Sequence, residues 1–152
     1  MSREVPGMGR NRLENRIGYE LKRAQHSFRL RMDEALKGLS VTTPQYAAMS
    51  VLAEQPGLSN AQLARRSFLT PQTMNQILVK LEALGLVERR DHQEHVRVLQ
   101  TYLSQDGERL RSECDRLVVT VEARMVSELS EEEKRRLLEA LRGCAEALRK
   151  DN

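Results

Sequence analysis

Between Asn11 and Leu39 the apolar residues Ile17, Leu21, Ala24, Phe28, Met32 and Ala35 recur at steps of three and four, the period of one buried helical face, and predict a single long helix. A thinner second row, Tyr19, His26 and Leu30 with Arg23 among them, predicts that this helix meets more than one neighbour, as helices at subunit interfaces do. Thr43-Pro44 reads as a cap and first helical residue, because proline there gives up no needed N–H, and the helix it opens ends before Pro56-Gly57. Ser59 and Gln62 are spaced as a capping box, with Leu58 and Leu63 as the accompanying hydrophobic staple, so a short helix follows and runs out near Ser67. Thr70-Pro71 repeats the cap-plus-proline signal. The helix behind it is apolar at Met74, Ile77, Leu78, Leu81 and Leu84, and Gly85 suits its left-handed stop.

After Gly85 the period shifts toward two. Leu86 to Arg90 and Val96 to Leu103 read as strands around a polar tip, Asp91 to His95. Ser104 then caps a long helix with Leu110, Cys114, Leu117, Val118, Val121 and Met125 on one face, and a second capping box at Ser130 and Glu133 opens a last helix carrying Leu137, Leu141, Cys144 and Leu148. The predicted fold is mainly α with a small β-hairpin wing. Residues 41–103 form a winged helix-turn-helix lobe, and 1–40 with 104–152 form a separate helical domain.

The helix after Thr70 carries Gln72, Thr73, Asn75, Gln76 and Lys80 opposite its apolar stripe. A helix lying in the major groove of DNA needs one face packed on its own domain and the other offering donors and acceptors to base edges. Exposed helical faces usually carry Glu and Lys; this one is mostly amide and hydroxyl. Lys80, about a turn further on, is suited to phosphate.

Charge agrees in direction. The chain holds 25 Lys+Arg against 22 Asp+Glu, a net +3. Residues 1–40 contain nine basic and five acidic side chains and 59–103 six and four, whereas 104–152 contain ten and twelve, so the basic excess lies in the front and middle. The longest apolar runs, such as Leu117 to Val119, are too short to span a membrane, and the first seven residues lack the apolar core of a secretory signal, which predicts a cytoplasmic, nucleoid-associated protein.

Leu63-Ala64-Arg65-Arg66, the stretch Thr70 to Lys80, Leu81-Glu82-Ala83-Leu84-Gly85-Leu86-Val87-Glu88-Arg89-Arg90 and Leu103-Ser104-Gln105-Asp106-Gly107 together resemble the MarR (multiple antibiotic resistance regulator) family of bacterial transcription factors. The flanking helices match in order and length. The resemblance implies a homodimer whose first and last helices intertwine as a dimerisation domain, and a roughly palindromic double-stranded operator. It implies DNA contacts from Thr70, Gln72, Thr73, Asn75, Gln76, Lys80, Arg90 and Arg97, the last in the wing. It also implies a small aromatic or phenolic effector, for which Tyr19, Arg23, His26, Tyr46 and Met49 are the nearest candidates; interface or core packing accounts for the same five residues equally well. One departure stands out: the family wing carries an acidic residue before two basic ones, and here the place reads His95-Val96-Arg97. Either His95 substitutes as a hydrogen-bonding group or the wing contributes less affinity.

The function expected is sequence-specific regulation, with repression relieved by an effector. Two alternatives are an architectural DNA-binding protein with little sequence preference and a thiol-responsive regulator using Cys114 and Cys144. An architectural protein should be more basic and less amide-rich on its groove face. Both cysteines fall on apolar stripes and read first as small buried hydrophobes. No nucleophile elbow, phosphate loop or zinc-protease motif is present, so an enzyme is not expected. His92 and His95 at a predicted loop, without a carboxylate cluster, imply no metal, and no cofactor is expected. Three Tyr, two Phe and no Trp leave no stacking platform for single strands.

Overall fold

The computed structural model describes residues 13–95 and 97–149. Asn11 and Arg12, at the start of the first predicted helix, and Val96 of the wing lie outside the described residues. The order is α1 (Ile17–Leu36), α2 (Thr43–Glu54), α3 (Asn60–Arg66), α4 (Pro71–Ala83), β1 (Val87–Asp91), β2 (Leu99–Leu103), α5 (Gln105–Met125) and α6 (Glu131–Ala147), with 3₁₀ turns at Leu13–Asn15 and Lys37–Leu39. The mainly helical, single-hairpin expectation is met. Two boundaries differ. Arg16 takes an extended backbone conformation, so α1 begins at Ile17 rather than at Asn11. The cap of α2 is Thr42 and not Thr43, because Gln45 stands three residues after Thr42 and completes a capping box: the Thr42 hydroxyl accepts the Gln45 N–H at 3.2 Å while Gln45 Oε1 accepts the Thr42 N–H at 3.0 Å. Thr43 is thereby free to donate to Asp33 Oδ1 at 2.5 Å, tying α2 to the end of α1.

The core lies where α2, α3, α4 and the hairpin meet the middle of α5. Leu36, Met49, Leu52, Leu63, Met74, Leu78, Leu81 and Cys114 are fully buried there. Burying each such side chain stabilises the fold by about 1.5–3 kcal/mol. The hairpin is antiparallel, with Val87 opposite Leu103 and Asp91 opposite Leu99. The predicted second strand is shorter than expected, because Arg97 and Val98 belong to the wing turn, where the Val98 N–H donates to the His95 carbonyl. A one-residue third rung forms at Leu58, whose carbonyl accepts the Thr101 N–H while the N–H of the preceding Gly57 donates to the Thr101 carbonyl, both at 2.9 Å. The loop before α3 is thus fastened to the wing.

The α3–α4 turn closes with the Leu69 N–H on the Ala64 carbonyl at 2.9 Å and the Phe68 N–H on that of Arg65 at 3.3 Å. That pattern puts Phe68 in the left-handed position where helices usually place glycine, at φ +57°. A side chain there costs about 1–2 kcal/mol.

The two ends of the chain behave differently from the lobe. On α1 only Met32 and Leu36 are buried, while Ile17 is 82% exposed. Helix α6 buries nothing, and among the described residues it packs substantially against no other element. Leu137, Leu138, Leu141, Cys144 and Leu148 therefore form a bare apolar face, where the sequence pattern predicts a buried one. Among the described residues no helix is long and apolar enough to cross a membrane.

The passage from hairpin to α5 is held by close backbone approach. Ser104 accepts the Gly107 N–H at 3.0 Å as N-cap, donates its hydroxyl to the Gly85 carbonyl at 2.6 Å, and its own N–H reaches the Leu86 carbonyl at 3.0 Å. Gly107 presses so close that an added Cβ would lie 2.0 Å from the Leu86 oxygen. Gly107→Ala must shift the start of α5 away from the end of α4, and a fall in stability of about 1–3 kcal/mol is expected, read as a lowered Tm in a calorimetric scan. An unchanged Tm would show that this approach is not tight in solution.

Candidate nucleic-acid interface

Helix α4 presents two faces. Met74, Leu78 and Leu81 are buried against the lobe, and Gln72, Thr73, Asn75, Gln76 and Lys80 are exposed on the outside. Its start is over-determined. Thr70 accepts the Thr73 N–H at 3.2 Å and donates its hydroxyl to that of Thr73 at 2.9 Å, and Asn60 at the head of α3 donates to the Pro71 carbonyl at 2.9 Å. Thr70 and Thr73 are therefore engaged with each other at the helix entrance.

Asn75 is held from the wing. The Arg89 guanidinium donates to Asn75 Oδ1 at 3.2 Å and forks onto Glu82 Oε2 at 3.0 and 2.7 Å, so one β1 side chain grips α4 at two points two turns apart. The Arg89 side chain is 18% exposed. Partial burial of the guanidinium screens this pair less than an ordinary surface ion pair. With its oxygen accepting from Arg89, Asn75 keeps both amide N–H groups for donation. Sequence reasoning did not single out Arg89. The period-two pattern of β1 contained the signal: Val87 and Arg89 share the face turned to α4, whereas Glu88 and Arg90 point away.

Arg97 lines one cleft with Asn75, Arg89 and the head of α3, so the structure brings the wing arginine to the wing-side flank of α4. Arg90 stands apart on the outer face of β1, paired with Glu88 at 2.8 Å, whose carboxylate raises its already high pKa, and stacked over the Tyr102 ring at 4.7 Å. On the other flank of α4, Thr73, Gln76 and Lys80 face a groove shared with Arg29, Asp33 and Lys37. The amide face of α4 thus lies between two borders containing cations. At the wing tip the rings of His92 and His95 lie 4.9 Å apart, and His92 Nδ1 accepts the Glu94 N–H at 3.0 Å. Among the described residues no group of three or more His, Cys, Asp and Glu is placed to hold a metal ion.

None of the cavities among the described residues gathers the five effector candidates. Met49 is fully buried in the core. Tyr46 donates its hydroxyl to Asp115 at 2.6 Å, and burial followed by that bond pushes its pKa up to about 12. Tyr19, Arg23 and His26 lie on the exposed part of α1, with Arg23 3.4 Å from Glu20. An apolar groove does run between α1 and α5, bordered by Ala24, Phe28, Arg31, Val121 and Met125, and contains none of the five. Cys114 is buried, and desolvation raises its thiol pKa, which keeps it protonated and unreactive. Cys144 is exposed on the apolar face of α6.

Residues 38–97 match the sequence profile of the MarR family. The "HTH-type transcriptional repressor Rv2887" of Mycobacterium tuberculosis is 35% identical over 128 residues, which cover 82% of this chain and 92% of the relative. The same relative is similar in structure. Its complex with DNA superposes with a TM-score of 0.72 at 32% identity, covering 85% of this chain and 97% of the other, and its complex with salicylic acid gives 0.71 at 32% identity over 85% and 96%. With that identity over most of both chains, and a lobe of the same architecture, this chain belongs to the MarR family of transcriptional regulators.

Proposed function

We propose that the chain acts as a homodimeric, sequence-specific double-stranded DNA-binding repressor in the cytoplasm, released from a roughly palindromic operator by a small aromatic acid or phenol. The observation that carries the reading is the amide-rich face of α4, held in a fixed rotation by the buried stripe beneath it and by the Arg89 fork onto Asn75 and Glu82. In this reading Gln72, Asn75 and Gln76 meet base edges. Asn75, as a donor, seeks purine N7 or O6 or thymine O4, and Lys80 and Arg97 meet phosphate on either side. Thr70 and Thr73 set the angle at which the helix enters, and Arg90 serves the backbone beside the wing.

Dimerisation is supported by the bare faces of α1 and α6. A second copy laid on Leu137, Leu141 and Leu148 would bury apolar surface that the single chain leaves in water. Two recognition helices would then stand about 34 Å apart, one turn of DNA. An effector wedged where α1 meets α5 would change that separation, and a dimer held by two half-sites loses most of its affinity when one lets go. Repression and the aromatic acid are supported by the relative's name and its salicylic acid complex. Tyr19, Arg23 and His26 serve the effector only if the second copy completes their wall. Tyr46 and Met49 contribute as packing behind it. The thiol-responsive alternative has little support from the buried, protonated Cys114.

Fluorescence-anisotropy titration against a duplex from the promoter beside its own gene, with a scrambled duplex and a salt series, tests the reading. Tight binding to the first and weaker, more salt-sensitive binding to the second is expected; equal binding to both would favour the architectural alternative. On that operator Gln76→Ala should cost about 1–3 kcal/mol and relax sequence choice, while Lys80→Ala should weaken all duplexes alike. If both changes acted equally on operator and random DNA, direct readout by α4 would be refuted. Arg89→Ala should lower the ratio of operator to random affinity without reducing the salt slope, since Arg89 positions Asn75 and need not touch phosphate. Replacing Leu137 and Leu141 together by Glu should turn the dimer into a monomer by light scattering, and a persisting dimer would move the interface elsewhere.

A further inference from the structure

Phe68 carries three features that do not help the fold. It is 95% exposed, whereas the other four aromatic side chains, Tyr19, Phe28, Tyr46 and Tyr102, are all more sheltered. It occupies a left-handed backbone position, φ +57°, that glycine would fill without strain. It stands in the turn between α3 and α4, two residues before the cap of the helix whose outer face carries the amides. The other apolar residues with comparable exposure, Ile17 and Leu148, belong to the α1 and α6 ends assigned above to a second copy; Phe68 stands in the α3–α4 turn, on neither helix. A glycine would remove the backbone strain and the bare ring together, so the ring is retained for something outside the chain.

What lies beside it identifies the occupant. Arg65 and Arg66 lie in the last turn of α3, three and two residues before it, with Arg66 3.7 Å from Glu54, and Thr70 caps α4 two residues after it. An apolar ring in the turn that joins a basic helix end to the start of α4 suits a polyanion that also offers apolar surface. Duplex DNA offers both at the groove edge, in its deoxyribose faces and thymine methyl groups.

We propose that Phe68 is a DNA-contact residue, packing its ring on the deoxyribose or thymine-methyl surface at the edge of the groove that α4 enters. This rests on the DNA-binding reading above. The strained turn aims the ring, and the contact adds affinity without neutralising a phosphate.

The test compares wild type, Phe68→Gly and Phe68→Tyr on a duplex enriched by the wild-type protein from a random-sequence library, across a potassium chloride series, together with thermal unfolding of each protein. Phe68→Gly should unfold at a higher temperature yet bind about tenfold more weakly, the size expected if roughly half of a phenylalanine's transfer free energy is realised in the complex. Its salt slope should equal that of wild type, because no phosphate contact is lost. Phe68→Tyr, which keeps the ring, should bind like wild type. A purely structural role would move stability and affinity in the same direction. Replacing thymine by uracil in the duplex separates the two surfaces: weakening of wild type but not of Phe68→Gly places the ring on a methyl group, and no effect places it on sugar. Phe68→Gly binding as tightly as wild type would overturn the proposal. Failure of the wild-type protein to enrich any duplex would overturn the DNA reading itself, and this inference with it.

Discussion

The stripe Met74, Leu78 and Leu81, fully buried under α4, is the constraint from which the rest follows. Once those three side chains are committed to the core, the helix has one allowed rotation about its axis. Gln72, Thr73, Asn75 and Gln76, off that stripe, are then left on the outside. A rotation of one residue's worth would bring an amide into the core, where an unpaired polar group costs about 1–3 kcal/mol. Hydrophobic burial therefore decides which side chains α4 shows to the outside.

Rotation alone does not fix the position of a side chain to the precision that base recognition needs. The wing supplies the remainder. Arg89 spans from β1 to Asn75 and Glu82, Leu58 fastens the loop before α3 to Thr101, and Ser104 ties the end of α4 to the beginning of α5. The lobe thus becomes one body joined to α5, and α5 packs along α1. A change in how two copies meet along α1 and α6 would be transmitted to α4 as a rigid displacement rather than absorbed within the lobe. That is the mechanical requirement for an effector to act at a distance from the groove.

Much of this was legible from residue order. Capping pairs such as Ser59 with Gln62 and Ser130 with Glu133, the proline after Thr70, and the switch to period two after Gly85 each have a local physical cause, and each appears where the pattern puts it. The same local spacing, Gln45 three residues on, marks Thr42 rather than Thr43 as the cap of α2. What was not legible depends on tertiary partners. Strand period puts Arg89 on the face of Val87, but its partners Asn75 and Glu82 are set only when the hairpin folds against α4. Phe68 reads as an apolar residue near a helix end until the turn's hydrogen bonds place it in a left-handed conformation facing water. The bare α6 is the opposite case: its periodicity promises burial, and the single chain supplies nothing to bury it against.

The most direct test of the account is a hydroxyl-radical footprint of the full-length protein on its enriched operator. Two protected tracts on one face of the duplex, centred about one helical turn apart, are predicted for two α4 helices held by a single rigid dimer. A single protected tract, or protection spread evenly along the duplex, would contradict it.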